Sequence, residues 1–446
     1  MTRSGGDPTG EGKAGERSSR DIDPVRLAAF GILHRSARGR RSIDKALRLA
    51  AAAHEERDRR FLWALVVETL RWRARLDAVL EPLLHRPLMS LDPSVRILLE
   101  MAACQVCVLD SIPPHAVVDE AVRLAAKVAP SGAERMVNAV SRRLTQDGAA
   151  RWALVGGASD PAQWCVAHSH PRWLVDRWLQ RWGEERTLSV LRWNNEHAPV
   201  WLRARRGGRA PEGERGWVAD TYRMPRSYRP ADDPSFLSGE WTAQDPGETL
   251  VGLLPPETPD GWLIDLCASP GTKTTHLAER FGAGRVLAMD RRRSRMVRLR
   301  ETLARTGDRC PLMVADALAL PLRPGIAAGV LLDAPCSALG VLRRRVDARW
   351  NVRESDLLRH RDEQIRMLDA AAGLVRRGGW LLYSVCSTEP EETDDVRDRF
   401  LARHRGIRPL TIPIATPEDV EKGDGCLRIL PGQGACDGVY ASLFRC

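Results

Sequence analysis

Two cysteines in this 446-residue chain stand in company that could make them reactive: Cys336, in Asp333-Ala-Pro-Cys336-Ser, and Cys386, in Ser384-Val-Cys386-Ser-Thr. Each closes an apolar run among polar residues, whereas a packing cysteine usually sits among aliphatic neighbours. A free thiol ionises near ~8.5, so a nucleophile needs a cation, a helix N-terminus or a proton acceptor beside it. Arg343, Arg344 and Arg345 follow Cys336 closely and are expected to supply positive potential or to grip phosphate. Either cysteine alone reads as inert. A pair of them beside a ligand-binding turn reads as catalytic.

That turn is Asp265-Leu-Cys-Ala-Ser-Pro-Gly-Thr-Lys273. Cys267, Ala268, Ser269, Pro270, Gly271, Thr272 and Lys273 would present backbone N–H groups at the start of a helix, a place suited to a carboxylate or phosphate. The next three apolar runs end in Asp290, Asp316 and Asp333. Asp290 lies where a carboxylate commonly takes ribose hydroxyls, Asp316 suits an adenine amine, and Asp333 ends the strand after them. An N-cap role explains any one of these acids but accounts poorly for all three. The turn lacks the GxGxxG spacing of a dinucleotide site and the lysine loop of a nucleotide triphosphatase. S-adenosylmethionine is therefore the expected cofactor.

The elements that must carry these residues alternate. Strands are expected at 262–267, 285–290, 311–315, 329–333, 380–385 and 438–444, with helices at 274–281, 294–306, 363–375 and 393–403. Such alternation signals an α/β, doubly wound, mostly parallel sheet that binds ligands at its carboxyl edge. Residues 21–147 carry only helical periodicity punctuated by prolines and read as an all-α domain. Between 160 and 240 tryptophan recurs with arginine, in a helix near 172–182 and a loop-rich stretch near 211–229. These tryptophans either stack on RNA bases or fill a small core, and the second use is expected for most. The division is thus a disordered tail at 1–20, a helical domain at 21–147, a small linking domain at 160–240 and the sheet domain at 241–446.

The bulk composition agrees with a nucleic-acid partner. Net charge is +10, and only five of the 68 cationic residues are lysine. A GC-rich genome explains that ratio but not the positive sign, and arginine forks match phosphate. The sequence carries no signal for a membrane span or a secretion leader, so a cytoplasmic protein with reduced thiols is expected. Cys104 and Cys107 lie on an apolar helical face without a second pair, so no metal is expected. The expected state is a monomer.

Three stretches together resemble successive motifs of the RNA 5-methylcytosine methyltransferase family: Leu266-Cys-Ala-Ser-Pro-Gly-Thr-Lys273, Asp333-Ala-Pro-Cys-Ser-Ala-Leu-Gly340 and Val385-Cys-Ser-Thr-Glu-Pro-Glu-Glu392. The likeness extends to Trp241-Thr-Ala-Gln-Asp245 and Cys436-Asp-Gly-Val-Tyr440. Upstream, Ile112-Pro-Pro-His-Ala-Val-Val-Asp-Glu-Ala121 and Val137-Asn-Ala-Val-Ser-Arg-Arg143 resemble the NusB fold, and 193–203 resembles the family's joining segment. The resemblance implies a Rossmann-like, S-adenosylmethionine-dependent methyltransferase domain behind an all-α NusB-like RNA-binding domain and a small linking domain, with 16S ribosomal RNA as substrate. It also implies that Cys386 attacks carbon 6 of a cytosine, that Asp333 holds the ring, and that Cys336 assists release. Thr272 departs from the family's usual glycine, where a left-handed backbone would be strained. Arg345-Val346 replaces a usual His-Pro. The alternatives are a non-catalytic RNA-binding assembly factor on the same scaffold and a transfer RNA cytosine-5 methyltransferase.

Overall fold

A computed structural model describes residues 22–39, 43–109, 112–257, 260–412 and 414–446. The expected tail at 1–20 lies outside them. The chain divides into two compact units, Met1–Ala158 and Ser159–Cys446.

The first unit is helical throughout its described residues: Pro24–Ala37, Ile43–Ala51, Glu56–Arg71, Arg73–Leu80, Pro93–Cys107, Pro114–Val128 and Ala133–Gly156. Local chemistry sets the starts. Asp23 accepts from the N–H of Val25 at 2.8 Å and Asp92 from that of Ser94 at 2.8 Å, each ahead of a proline at the first helical position. The last helix continues past 147, the expected end of the helical domain. Gly148 permits this, because a Cβ there would lie 3.3 Å from Val106 Cγ1 on the neighbouring helix. Cys104 is fully buried and its pKa is raised by that burial, as befits a packing residue.

The second unit holds two sheets. In the smaller, β1 (Trp201–Ala204), β2 (Glu214–Arg215), β3 (Thr221–Arg223) and β4 (Trp241–Ala243) run antiparallel in the order β2-β3-β1-β4. Two of these strands fall in the stretch expected to be loop. The larger comprises β5 (Trp262–Asp265), β6 (Val286–Asp290), β7 (Leu312–Val314), β8 (Ala327–Asp333), β9 (Val375–Val385), β10 (Arg408–Pro409), β11 (Glu421–Gly423), β12 (Cys426–Ile429) and β13 (Val439–Arg445). Its order is β11-β12-β13-β9-β8-β5-β6-β7, with β10 paired to β13. Strands β5 to β9 are parallel, while β10 to β13 add on antiparallel, so the sheet is mixed. Both faces are buried, as parallel strands under helices require: Leu263, Ala288, Leu331 and Leu382 on one, Ile264, Met289, Leu332 and Tyr383 on the other.

The helix expected at 172–182 runs from Arg172 to Asn195, because Gly183 absorbs a kink at φ 74° and ψ −176°. Another, expected from 363, begins at Glu354, where Asp356 accepts from the N–H of Arg353 at 3.0 Å. Trp164, Trp178 and Trp201 are buried, and Trp173, Trp182 and Trp217 pack half-buried against apolar clusters, in line with the core role expected for most tryptophans. Among the described residues no helix is long and apolar enough to cross a membrane.

Candidate active site

From β5 the chain steps outward through β6 and β7, then returns to place β8 on the other side of β5. Strand order reverses between β5 and β8, and a crevice opens outside their carboxyl ends. Asp265 ends β5 and Asp333 ends β8.

The turn after β5 is held down at several points. The N–H of Ala268 donates to Met289 O at 2.8 Å, and Ser269 Oγ donates to Arg295 O at 3.1 Å. The Ser269–Pro270 peptide is cis. Gly271 takes φ 110°, and a Cβ on it would lie 2.8 Å from Leu299 Cδ1. Thr272 is simply the first residue of the helix Thr272–Phe281 and has no positive φ. The strain expected from replacing glycine there does not arise, since Gly271 alone carries the left-handed turn.

A cavity of about 230 Å³ adjoins this turn, and Cys267, Asp290, Asp316 and Pro335 line it. Three strand ends thus meet one space, while Ala268, Ser269, Pro270 and Thr272 serve as its supporting loop. The N–H of Arg292 binds Asp290 at 2.9 Å, and that of Leu318 binds Asp316 at 2.9 Å. Thr274 Oγ1 donates to Asp265 Oδ2 at 2.7 Å, and the Cys267 N–H also serves this buried carboxyl. Burial, with the charges of Asp333 and Asp290, outweighs the Thr274 bond and raises the Asp265 pKa to about 7. A larger cavity, about 1120 Å³, lies away from these residues beside Trp193, Val200 and Tyr228.

Lys273 and the two cysteines form the second group. Lys273 is buried and donates to Asp333 Oδ2 at 2.8 Å and to Glu248. Ser384 Oγ donates to Asp333 Oδ1 at 2.8 Å, across the β8–β9 register that pairs these two residues. The same register brings the loops beyond the strands together, with Cys336 Sγ and Cys386 Sγ 3.2 Å apart as free thiols. The Cys336 pKa is pushed well above the usual value, first by its hydrogen bond with Cys386, then by burial and the charges of Cys386 and Glu392.

Several residues of this site were not singled out from the sequence. Glu389 is fully buried and accepts from Arg177 Nε at 2.6 Å, Trp178 Nε1 at 2.9 Å and Arg181 Nη1 at 3.0 Å. Glu392, also fully buried, binds both cysteine loops. Their only signal was their place at the end of the Cys386 motif. The arginines after Cys336 are not poised for phosphate as expected. Arg343 and Arg344 both bind Asp437 and lie 3.6 and 3.3 Å from Asp245, and Arg343 also stacks 3.9 Å from the Trp193 ring. Arg345 lies 3.6 Å from Asp347. Burial and repulsion from Asp437 raise the Asp245 pKa to about 6 against the pull of Arg344 and Arg343. Among the described residues no group of three or more His, Cys, Asp or Glu is placed to hold a metal.

A mixed Rossmann-like sheet with acids at successive strand ends and two thiols at its carboxyl edge has the architecture of a methyltransferase domain. Residues 251–445 match the family model of the 16S rRNA methyltransferase RsmB/F, residues 23–146 that of the NusB family, and residues 170–207 the ferredoxin-like domain of RsmF/B-like methyltransferases. The ribosomal RNA small subunit methyltransferase B of Pseudomonas putida is 32% identical over 93% of this chain and 97% of its own length. That of Pseudomonas syringae pv. tomato is 33% identical over 93% and 95%. Among solved structures, PH0851 superposes with a TM-score of 0.77 at 22% identity, over 96% of this chain and 99% of that one. NSun6 from Pyrococcus horikoshii with SFG gives 0.52 at 18%, over 62% and 98%. The chain belongs to the ribosomal RNA small subunit methyltransferase B family.

Proposed function

We propose that the chain methylates carbon 5 of a cytosine in 16S ribosomal RNA, with S-adenosylmethionine as methyl donor and Cys386 as covalent catalyst. The observation that carries this reading is the pair of free sulfurs 3.2 Å apart at the ends of β8 and β9, beside Asp333. The cofactor fits the residues present. Asp290 and Asp316 offer carboxylates to its hydroxyls and amine, and Cys267 lines the same cavity. When bound, it supplies an electrophilic methyl group.

The chain's own residues do the rest. The Cys386 thiolate bonds to carbon 6, and the electrons of the C5–C6 double bond shift so that carbon 5 becomes the nucleophile. Asp333, held by Lys273 and Ser384, hydrogen-bonds the ring and steadies the adduct. After methylation a base takes the carbon 5 proton, the double bond returns and the sulfur–carbon bond breaks with Cys386 leaving as thiolate, a step that Cys336 assists. The target base must be unpaired or flipped for the thiol to reach its face.

The test is transfer of labelled methyl to unmodified 16S rRNA and, in parallel, to bulk transfer RNA, with digestion to nucleosides. Label in 5-methylcytidine from 16S rRNA, lost in Cys386→Ala, is expected. Label only from transfer RNA moves the substrate, and turnover retained by Cys386→Ala removes the mechanism. RNA binding with no label on either RNA makes the protein a non-catalytic factor.

A further inference from the structure

The two cysteine loops are joined by a residue that the reaction just described does not use. Glu392 ends the turn Pro390–Glu392 and is fully buried. Its Oε1 accepts from the N–H of Ser337 at 2.8 Å and from Gln364 Nε2 at 3.2 Å. Its Oε2 accepts from the hydroxyls of Ser337 and Ser387. Ser337 follows Cys336 and Ser387 follows Cys386, and their hydroxyls are 3.2 Å apart, repeating the sulfur pair one residue further on. The turn is itself pinned, with the Tyr383 hydroxyl 2.7 Å from Glu392 O and 3.1 Å from Gln364 Oε1.

Four neutral donors and no described cation surround this carboxylate. A buried charge satisfied only by neutral groups is a costly way to join two loops that apolar packing could join more cheaply. What it provides in return is geometry. A carboxylate accepts several hydrogen bonds in fixed directions, and here two of its donors flank the two thiols. Its negative charge also disfavours loss of the proton from Cys336.

We infer that Glu392 is a positioning residue that fixes Cys336 against Cys386 and thereby sets the rate at which the covalent RNA adduct breaks down. The inference rests on the proposed roles of the two cysteines. A carboxamide in its place keeps one acceptor oxygen but turns N–H groups toward the two serine hydroxyls, which must switch from donors to acceptors, so the short hydroxyl–carboxylate bonds that clamp the two loops lengthen. A displacement of about 1 Å at a reacting group costs on the order of 10²-fold in rate.

The experiment compares wild type, Cys336→Ala, Glu392→Gln and the double variant on unmodified 16S rRNA with S-adenosylmethionine. Protein–RNA adduct is read on denaturing gels, and kcat and KM are measured separately. Glu392→Gln is expected to accumulate adduct and to lose kcat by about 10²-fold with KM for RNA unchanged or lower. The double variant should match Cys336→Ala, since Glu392 acts through Cys336. A simple loss of folded protein lowers activity without raising adduct per active enzyme. If Glu392→Gln does not fold, Ser337→Ala and Ser387→Ala carry the test, and each should raise adduct. Adduct in Cys336→Ala but wild-type adduct levels in the Glu392 or serine variants overturn the inference alone. Additive loss in the double variant also overturns it. No adduct in Cys336→Ala overturns the release role on which it rests.

Discussion

Glu389 should hold the Cys386 loop to the helix Arg172–Asn195, and Glu389→Gln measures how strongly. The wild-type carboxylate is fully buried and takes donors from Arg177, Trp178 and Arg181, with Thr388 Oγ1 at 3.4 Å. A carboxamide loses the charge and one acceptor oxygen. Breaking a buried ion pair costs about 3–5 kcal/mol, and stranding the buried indole N–H of Trp178 adds to this. Two features reduce the sum: Arg177 keeps Glu391, and Arg181 Nη2 keeps Thr388 O at 2.9 Å. The net loss should be about 3 kcal/mol, the lower end of the range for a broken buried pair. Because the chain has two compact units, a single global unfolding curve is the wrong readout. Native-state hydrogen exchange resolves segments, and the helix Arg172–Asn195 should lose protection by that amount. Glu391→Gln is the control. It removes a partly exposed partner of the same arginine and should cost no more than about 1 kcal/mol. If Glu389→Gln reduces protection no more than Glu391→Gln does, the reasoning from burial is refuted.

Two further perturbations follow from the turn after β5. Asp265, raised from the usual 3.8 to about 7, is protonated in the fold at pH values where the unfolded chain is ionised. Its contribution to stability is full below 3.8 and is lost as pH rises through 7, amounting to about 3 kcal/mol between pH 5 and pH 8. Asp265→Asn should flatten the pH dependence of hydrogen-exchange protection in the second unit over that interval, and an unchanged slope counts against the assignment. At the helix start, Thr272→Gly should cost up to about 1 kcal/mol in helix stability and leave S-adenosylmethionine affinity unchanged by calorimetry. Gly271→Ala, which meets Leu299 and a left-handed φ, should weaken binding, and tighter binding in Thr272→Gly would show that the turn is strained after all.

Much of the site was legible because its chemistry is local in sequence. The turn 265–273, the strand-end acids and the two cysteine motifs are each short runs whose residue types and neighbours point to one use. Alternation of strand and helix was equally plain, since apolar periodicity and the residues that end a run lie within a few positions of each other. The same locality misplaced some ends. Gly183 reads as a helix stop but serves as a kink, and the charged first turn from Glu354 shows no apolar period.

What the sequence by itself determined, then, was which groups are present and which strand ends carry them. The tertiary structure alone decided which groups meet. Cys336 and Cys386 are 50 positions apart, and only the β8–β9 register brings their sulfurs to 3.2 Å. Arg177 and Glu389 are 212 positions apart, so nothing in either neighbourhood announces the other. Nothing near Arg343 and Arg344 in the chain announces Asp245 and Asp437, yet the fold pairs both arginines with those two buried acids. The physical reason is that a charged group's role depends on burial and on its nearest opposite charge, and both are set by packing.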